Sequence, residues 1–197
     1  MQIHAHPLFL RCAALGAVAL AAALSAAGAE AGALRYRGTN ADGGVSSGAM
    51  VRRQGANGGS LARGRAITTD GQGHGTVASG ARVTGPNGGT GARSGSTSVN
   101  ADGSASHQSG LSVANANGSV QSSGSATRDA AGNVSQSRST TATSNVTGNS
   151  VQSSTSYSSA TGLSHSATCY NAAGAVIACA PSCASDSAPP TPTSMAA

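Results

Sequence analysis

One pentapeptide pattern recurs along this chain and restricts what it can fold into. Asn100-Ala101-Asp102-Gly103-Ser104 is followed fifteen residues later by Asn115-Ala116-Asn117-Gly118-Ser119. Asn40-Ala41-Asp42-Gly43-Gly44 stands sixty residues earlier, with Ala56-Asn57-Gly58-Gly59 and Pro86-Asn87-Gly88-Gly89 between them on the same grid. Gly43, Gly58, Gly73, Gly88, Gly103, Gly118 and Gly148 hold equivalent positions, and Asn133 takes that slot in one unit with Gly132 just before it. Asp-Gly and Asn-Gly between apolar-polar alternations are strong hairpin signals, because these residues tolerate positive φ.

The segments between the turns alternate with a period of two. Val45, Ser47, Ala49 and Val51 share one parity, and Val77, Ser79, Ala81 and Val83 repeat the same order of sizes. Leu111 and Val113 alternate with Gly110, Ser112 and Ala114, and Val151, Ser153, Thr155 and Tyr157 close the series. Such alternation marks a half-exposed strand. Outside the amino terminus no apolar residues recur at helical spacing, and Gly, about 1 kcal/mol worse than Ala in a helix, interrupts every window. The expected class is all-β.

Two arrangements satisfy the period. In an antiparallel meander, about eleven residues form each strand and about four each turn, which makes long strands by globular standards. In a thin solenoid, each unit is one coil stacked on the next. A second glycine position (Gly48, Gly64, Gly80, Gly95, Gly110, Gly124) suits a coil corner, or a kink or bulge within a strand. The well-formed hairpin dipeptides favour the meander.

Composition leaves little for a core. Aromatic residues are 2% of the chain, Trp is absent and charged residues are 9%. Leu, Ile, Val and Phe together fall below the roughly 20% under which a conventional core becomes doubtful. Each unit offers one to three large apolar side chains, worth about 1.5–3 kcal/mol apiece when fully buried. Ordering the backbone costs about 1–2 kcal/mol per residue. A single unit therefore does not fold alone.

The amino terminus reads as a secretory signal over residues 1–31. Arg11 precedes an apolar run from Cys12 to Leu24, and Ala27-Gly28-Ala29 and Ala29-Glu30-Ala31 fit the small-x-small cleavage pattern. The run is shorter than the ~20 residues that span a bilayer. The expected plan is a repeat array over residues 36–162, a cysteine-containing hairpin over 163–183, and a Pro/Thr/Ser tail over 184–197 that is expected to lack fixed structure. Membrane contact is expected only through the signal, and the setting is secreted, periplasmic or cell-surface.

Cys169 and Cys179 are equidistant from Gly174. A bend at Ala173-Gly174 would bring them face to face, and an exported chain favours a disulfide. Cys179–Cys183 is the other pairing, and one thiol remains in either case. A zinc site from His165, Cys169, Cys179 and Cys183 is the rival reading, disfavoured for an exported protein.

Candidate chemistry is sparse. His74, His107 and His165 lie in separate repeats, and Gly71-Gln72-Gly73-His74-Gly75 lacks the Lys-Ser/Thr and helix of a phosphate loop. Asp42, Asp70 and Asp102 near turns suggest calcium, but one Asp per turn is too few for 6–8 oxygen ligands, and turn formation accounts for them. No metal, cofactor or catalytic residue is expected, and the chain reads as a non-enzyme. The basic residues are all Arg, and most precede residue 94. Arg63 and Arg65 share a face with Leu61 and Ile67, and with Arg52 and Arg53 they form a candidate anion-binding surface for an acidic envelope or matrix polysaccharide. Specific nucleic-acid recognition is not expected without aromatic residues for stacking. Rows of Ser and Thr also suggest ice binding, yet Thr68, Thr69, Thr97, Thr127, Thr141 and Thr143 do not hold one register. Self-association is compatible with such repeats.

Thr84-Gly85-Pro86-Asn87-Gly88-Gly89-Thr90, followed by Arg93, resembles repeats in small secreted proteobacterial proteins of unassigned activity, over roughly residues 36–160. More distantly, the units look like the Ser/Thr/Gly-rich shafts of bacterial surface adhesins. The resemblance implies an exported bacterial protein and carries over no catalytic residues. The expected role is structural, matrix or adhesive, and the alternative is a module binding anionic envelope polymers.

Overall fold

The computed structural model describes residues 31–179; the expected signal segment up to residue 30, Cys183 and the Pro/Thr/Ser tail lie outside the described residues. Eleven strands follow one another: β1 (Gly32–Thr39), β2 (Val45–Gln54), β3 (Ser60–Thr69), β4 (Gly75–Thr84), β5 (Thr90–Val99), β6 (Ala105–Asn115), β7 (Gly118–Arg128), β8 (Val134–Ser144), β9 (Ser150–Ser158), β10 (Gly162–Tyr170) and β11 (Val176–Ile177). They form one open antiparallel sheet in sequence order, each strand paired with the next. The meander is thus the observed arrangement, and the solenoid is not. The fifteen-residue repeat resolves into a ten-residue strand plus a five-residue turn over β2 to β5, not eleven plus four.

The turns explain the period, and they correct the expected geometry. In six of them, starting at Asn40, Gly55, Gly85, Asn100, Asp129 and Asn171, the first residue's N–H donates to the carbonyl of the fifth, and the fourth residue's N–H donates back to the carbonyl of the first. The fourth residue is always Gly at positive φ, from Gly43 at 77° to Gly132 at 91°. This is a type I turn closed by a glycine bulge, which needs one left-handed residue and no more. Asp42, Asn57, Asn87 and Asp102 sit in these turns, but among the described residues no non-glycine has positive φ. Gly118 departs from the grid: it is the first residue of β7 and has no positive φ, leaving Ala116 and Asn117 as a two-residue turn. At the divergent unit Gly132, not Asn133, is the left-handed residue.

Side chains lock the turns. Asn40 Oδ1 accepts from Gly44 N at 2.8 Å, while its Nδ2 donates to the Thr69 carbonyl of the next hairpin at 2.6 Å. A Cβ on Gly44 would collide with that carbonyl, so this position admits only glycine. Asp70, Asp102, Asp129 and Asn171 likewise accept from amides two or four residues ahead.

The mid-strand glycines are neither corners nor bulges. Gly64 lies directly opposite Gly80, and the register runs unbroken through both. Tyr36 lies over Gly48, its cross-strand partner, in the space a Cβ would occupy. Gly124 leaves room for Arg138, whose guanidinium crosses β7 to donate to Ser122 Oγ at 3.0 Å and Ser109 Oγ at 3.3 Å.

Every substantial strand-to-strand contact joins sequence neighbours, so the sheet is a single layer. Among the described residues the buried apolar ones are Ala62, Ala66 and Ala78, and no large side chain is fully enclosed. Leu34, Leu111, Val113 and Leu163 all stand in solvent. The ladder hydrogen bonds, each worth about 1 kcal/mol net, carry the stability that a core would otherwise supply.

Candidate functional site

The register sorts the strand residues onto two faces, because residues directly opposite in an antiparallel ladder point the same way. One face carries Arg35 and Arg37 from β1, Arg53 from β2, Arg63 and Arg65 from β3, and Arg93 from β5. Arg63 stands opposite Val51 and Ala81, and Arg93 opposite Ala81 and Leu111, so small or apolar residues separate the guanidinium groups. The candidate set of Arg52, Arg53, Arg63 and Arg65 is therefore divided: Arg52 projects from the opposite face with Arg82, on either side of Ala62. Arg35, Arg37 and Arg93 join the basic face in its place. Their odd parity was visible in the sequence, but their alignment depended on the turn lengths.

No Asp or Glu lies on any described strand. Asp42, Asp70, Asp102 and Asp129 all sit in the turns β1–β2, β3–β4, β5–β6 and β7–β8, on one margin of the sheet. Successive members are two strands apart, or about 10 Å. Each of three is held below an ordinary aspartate's 3.8 by its own turn. For Asp70 the largest cause is the Gln72 amide, with His74 adding an amide and a ring contact at 2.6 Å between Nδ1 and Oδ2. For Asp102 it is Ser104, and for Asp129 it is Asn133. These carboxylates are committed to amides, and among the described residues no group of three or more His, Cys, Asp or Glu is placed to hold a metal ion.

The histidines are not brought together. His74 belongs to its turn. His107 Nδ1 lies 2.8 Å from Thr97 Oγ1, and His165 Nδ1 lies 2.8 Å from Thr155 Oγ1, each a cross-strand pair on the arginine face. His107 and His165 are four strands apart.

Beyond the large side chains of β1 to β4, such as Leu34, Tyr36, Met50, Arg52 and Arg82, the other face consists mainly of small and hydroxyl side chains. From β5 to β10 it presents rows such as Ser94, Gly110, Ser123, Ser139, Ser154 and Ser166. Ser125 and Ser137 bond each other across the β7–β8 ladder at 3.0 Å. Thr68, Thr76 and Thr127 occupy one row there, interrupted by Ser98 and Ser106, while Thr69 and Thr97 point to the arginine face.

At the end of the sheet, Cys169 and Cys179 form a disulfide with Cα atoms 5.2 Å apart. The pairing expected from the sequence is present, but not its geometry. The glycine-bulge turn centres the bend at Ala173, so Cys169 stands opposite Ile177 and not opposite Cys179. Cys179 reaches back diagonally, and the chain leaves the ladder after Ile177. Beside the disulfide, Val113, Val120, Ala142, Val151 and Ile177 line an open apolar groove along the arginine face. Compared with protein-family models, with curated proteins and with solved structures, the chain matches none.

Proposed function

We propose that this is a non-enzymatic repeat protein of the secreted or cell-envelope compartment, acting as a structural, matrix or adhesive element. The observation that supports the reading most is the single-layer sheet. A chain that leaves both faces of eleven strands in solvent exposes surface in proportion to its length, as matrix and adhesive elements require. The Cys169–Cys179 disulfide suits an oxidising compartment. The test is fractionation: the chain, expressed with its own amino terminus in a bacterium, should appear outside the cytoplasm and co-sediment with envelope or matrix material. A chain found only in the cytosol, with free thiols, would remove the basis for this reading.

A second reading has its own support. The arginine face of β1 to β5 has no carboxylate among its strand residues, which favours attraction of an anionic polysaccharide or lipopolysaccharide. Exposed charges are screened beyond about 10 Å at 0.1 M salt. Binding to such a polymer should weaken as salt rises and should fall further in the Arg63→Glu, Arg65→Glu double variant. Binding indifferent to both would sink the arginine-face reading and leave the structural one standing.

A further inference from the structure

The two outer strands of the sheet are unfinished in complementary ways. Among the described residues β1 is a full-length edge: eight residues paired on one side only, without proline or bulge. At the other end β10 has nine residues, of which β11 covers only Cys169 and Tyr170. Among the described residues seven, Gly162–Thr168, have an open flank: β11 ends at Ile177, and Cys179 bonds back to Cys169. Natural sheets usually blunt such edges, since unpaired N–H and C=O groups template further pairing.

The backbone groups of these flanks match. Ladder bonds alternate along an antiparallel strand. Counting from the Asn40–Gly44 bond, the even residues of β1 face β2, so Ala33, Arg35 and Arg37 direct their N–H and C=O outward. Counting from the Asn171–Ala175 bond, Cys169 faces β11, so Ala167, His165 and Leu163 direct theirs outward on the same flank. An incoming β1, running as β11 runs, would begin opposite Thr168 where β11 stops. It would place Ala33 opposite Ala167, Arg35 opposite His165, Arg37 opposite Leu163 and Gly38 opposite Gly162. Both sets of outward residues lie on the arginine face, so the two faces continue across the junction.

We propose that copies of this chain join head to tail, β1 of one copy adding as the next strand to the open Gly162–Thr168 flank of β10 in another. Charge selects this pairing over its symmetric rival. Two β1 strands meeting antiparallel through their outward residues would, in the two registers of longest overlap, set Arg35 against Arg37 twice or Arg35 against itself, and like charges directly opposite are destabilising. The chain's own carboxyl-terminal segment is a poorer occupant, because Pro181, Pro189, Pro190 and Pro192 cannot donate to a ladder. A heterologous contact of this kind builds a ring where its rotation closes and a filament or ribbon where it does not. The proposal deepens the structural reading above without requiring either face to bind envelope material. A monomer that binds envelope would overturn it alone, and a polymer without envelope affinity would overturn only the other.

The test is complementation between two variants of the purified, disulfide-intact chain, read as molar mass by light scattering after size exclusion. Arg35→Pro removes an outward donor from β1 and no β1–β2 bond; His165→Pro does the same on β10. Wild type should rise in mass with concentration. Each variant alone should stay at the monomer mass, and their mixture should give a one-to-one dimer through the intact β1 of one and the intact β10 of the other. Wild type monomeric at every concentration, either variant assembling like wild type, or a variant dimerising alone would each overturn the proposal. So would a monomer that polymerises only when residues 184–197 are deleted, which would assign the β10 flank to the tail. Should a proline variant lose its β-sheet circular dichroism, a peptide of residues 32–39 added to wild type replaces it. The peptide should cap β10 and lower the average mass, and an unchanged mass would refute the pairing.

Discussion

The same chemical change, Gly→Ala, should have opposite signs at Gly103 and Gly38. Gly103 sits at φ 80° in the β5–β6 turn, and nothing lies within 4 Å of a Cβ built there. The cost of Ala is therefore conformational and not steric. A left-handed non-glycine residue costs roughly 1–2 kcal/mol, and the lower entropy of the unfolded Ala chain offsets roughly 0.4–1 kcal/mol. The net is about 1 kcal/mol of destabilisation, which is a roughly five-fold change in an opening equilibrium. Gly38 lies in β1 at ordinary φ, also with open space around its Cβ. There only the unfolded-state effect acts, and Ala should stabilise by about 0.5 kcal/mol. Because each strand touches only its neighbours, the right assay is local: amide hydrogen exchange, read hairpin by hairpin. Gly103→Ala should speed exchange about five-fold across β5 and β6, and Gly103→Asn about half as much on the energy scale, since Asn tolerates the left-handed region. Gly38→Ala should slow exchange slightly in β1 and β2. Equal effects at the two sites, or none at Gly103, would refute the glycine-bulge turn as the element that sets the repeat.

Other outcomes follow from the same geometry. Reducing the Cys169–Cys179 bond, or replacing Cys179 with Ser, opens a short loop worth about 2–3 kcal/mol in the chain-entropy account; exchange should rise at Cys169, Tyr170 and Val176 while β2 to β5 are unchanged. Lowering the pH should loosen the turns of Asp70, Asp102 and Asp129. Their folded pKa values lie below 3.8, so their contribution is complete above that value and is lost as pH falls through the lower folded values. Carboxyl titration by NMR should give three midpoints below 3.8, and midpoints at or above it would contradict the amide bonds. Gly48→Ala should displace Tyr36 from its cross-strand seat and destabilise β1–β2 by about 1 kcal/mol, the range of a cross-strand pair. The Tyr36→Ala, Gly48→Ala double variant should cost less than the sum of the two singles, and strict additivity would deny the contact.

The strand-and-turn rhythm was legible because a ten-residue strand and a five-residue turn recur without slippage from Val45 to Val99. The turn type was not, because Asp-Gly and Asn-Gly fit both a mirror-image two-residue turn and a type I turn with a glycine bulge. The deciding signal lies one step earlier, at Asn40, Asp70, Asn100, Asp129 and Asn171, which open turns and whose side chains occupy the amides or neighbours beyond. The odd loop length also moved the cysteines: symmetry about Gly174 suggested direct opposition, while the bulge centres the bend on Ala173. Within one strand, face membership was visible as parity, which is why Arg63 and Arg65 were seen together. Parity also separates Arg52 from its neighbour Arg53, but across strands the register was needed to set Arg53 on the face of Arg63 and Arg65 and to bring in Arg35, Arg37 and Arg93. Sparse large apolar residues foretold a thin core, and the structure carries this further, with both faces of the sheet open.

That openness is the central claim, and solvent paramagnetic relaxation measured by NMR along β5 to β7 tests it most directly. A soluble relaxation agent should broaden the side-chain signals of successive residues alike, Leu111 and Val113 as strongly as Ser112 and Ala114, while the backbone amides of the same strands remain protected from exchange. A period-two pattern, with the odd residues of β5 and β6 and the even residues of β7 shielded and their neighbours exposed, would show one face covered by a second layer and would contradict the single-layer sheet.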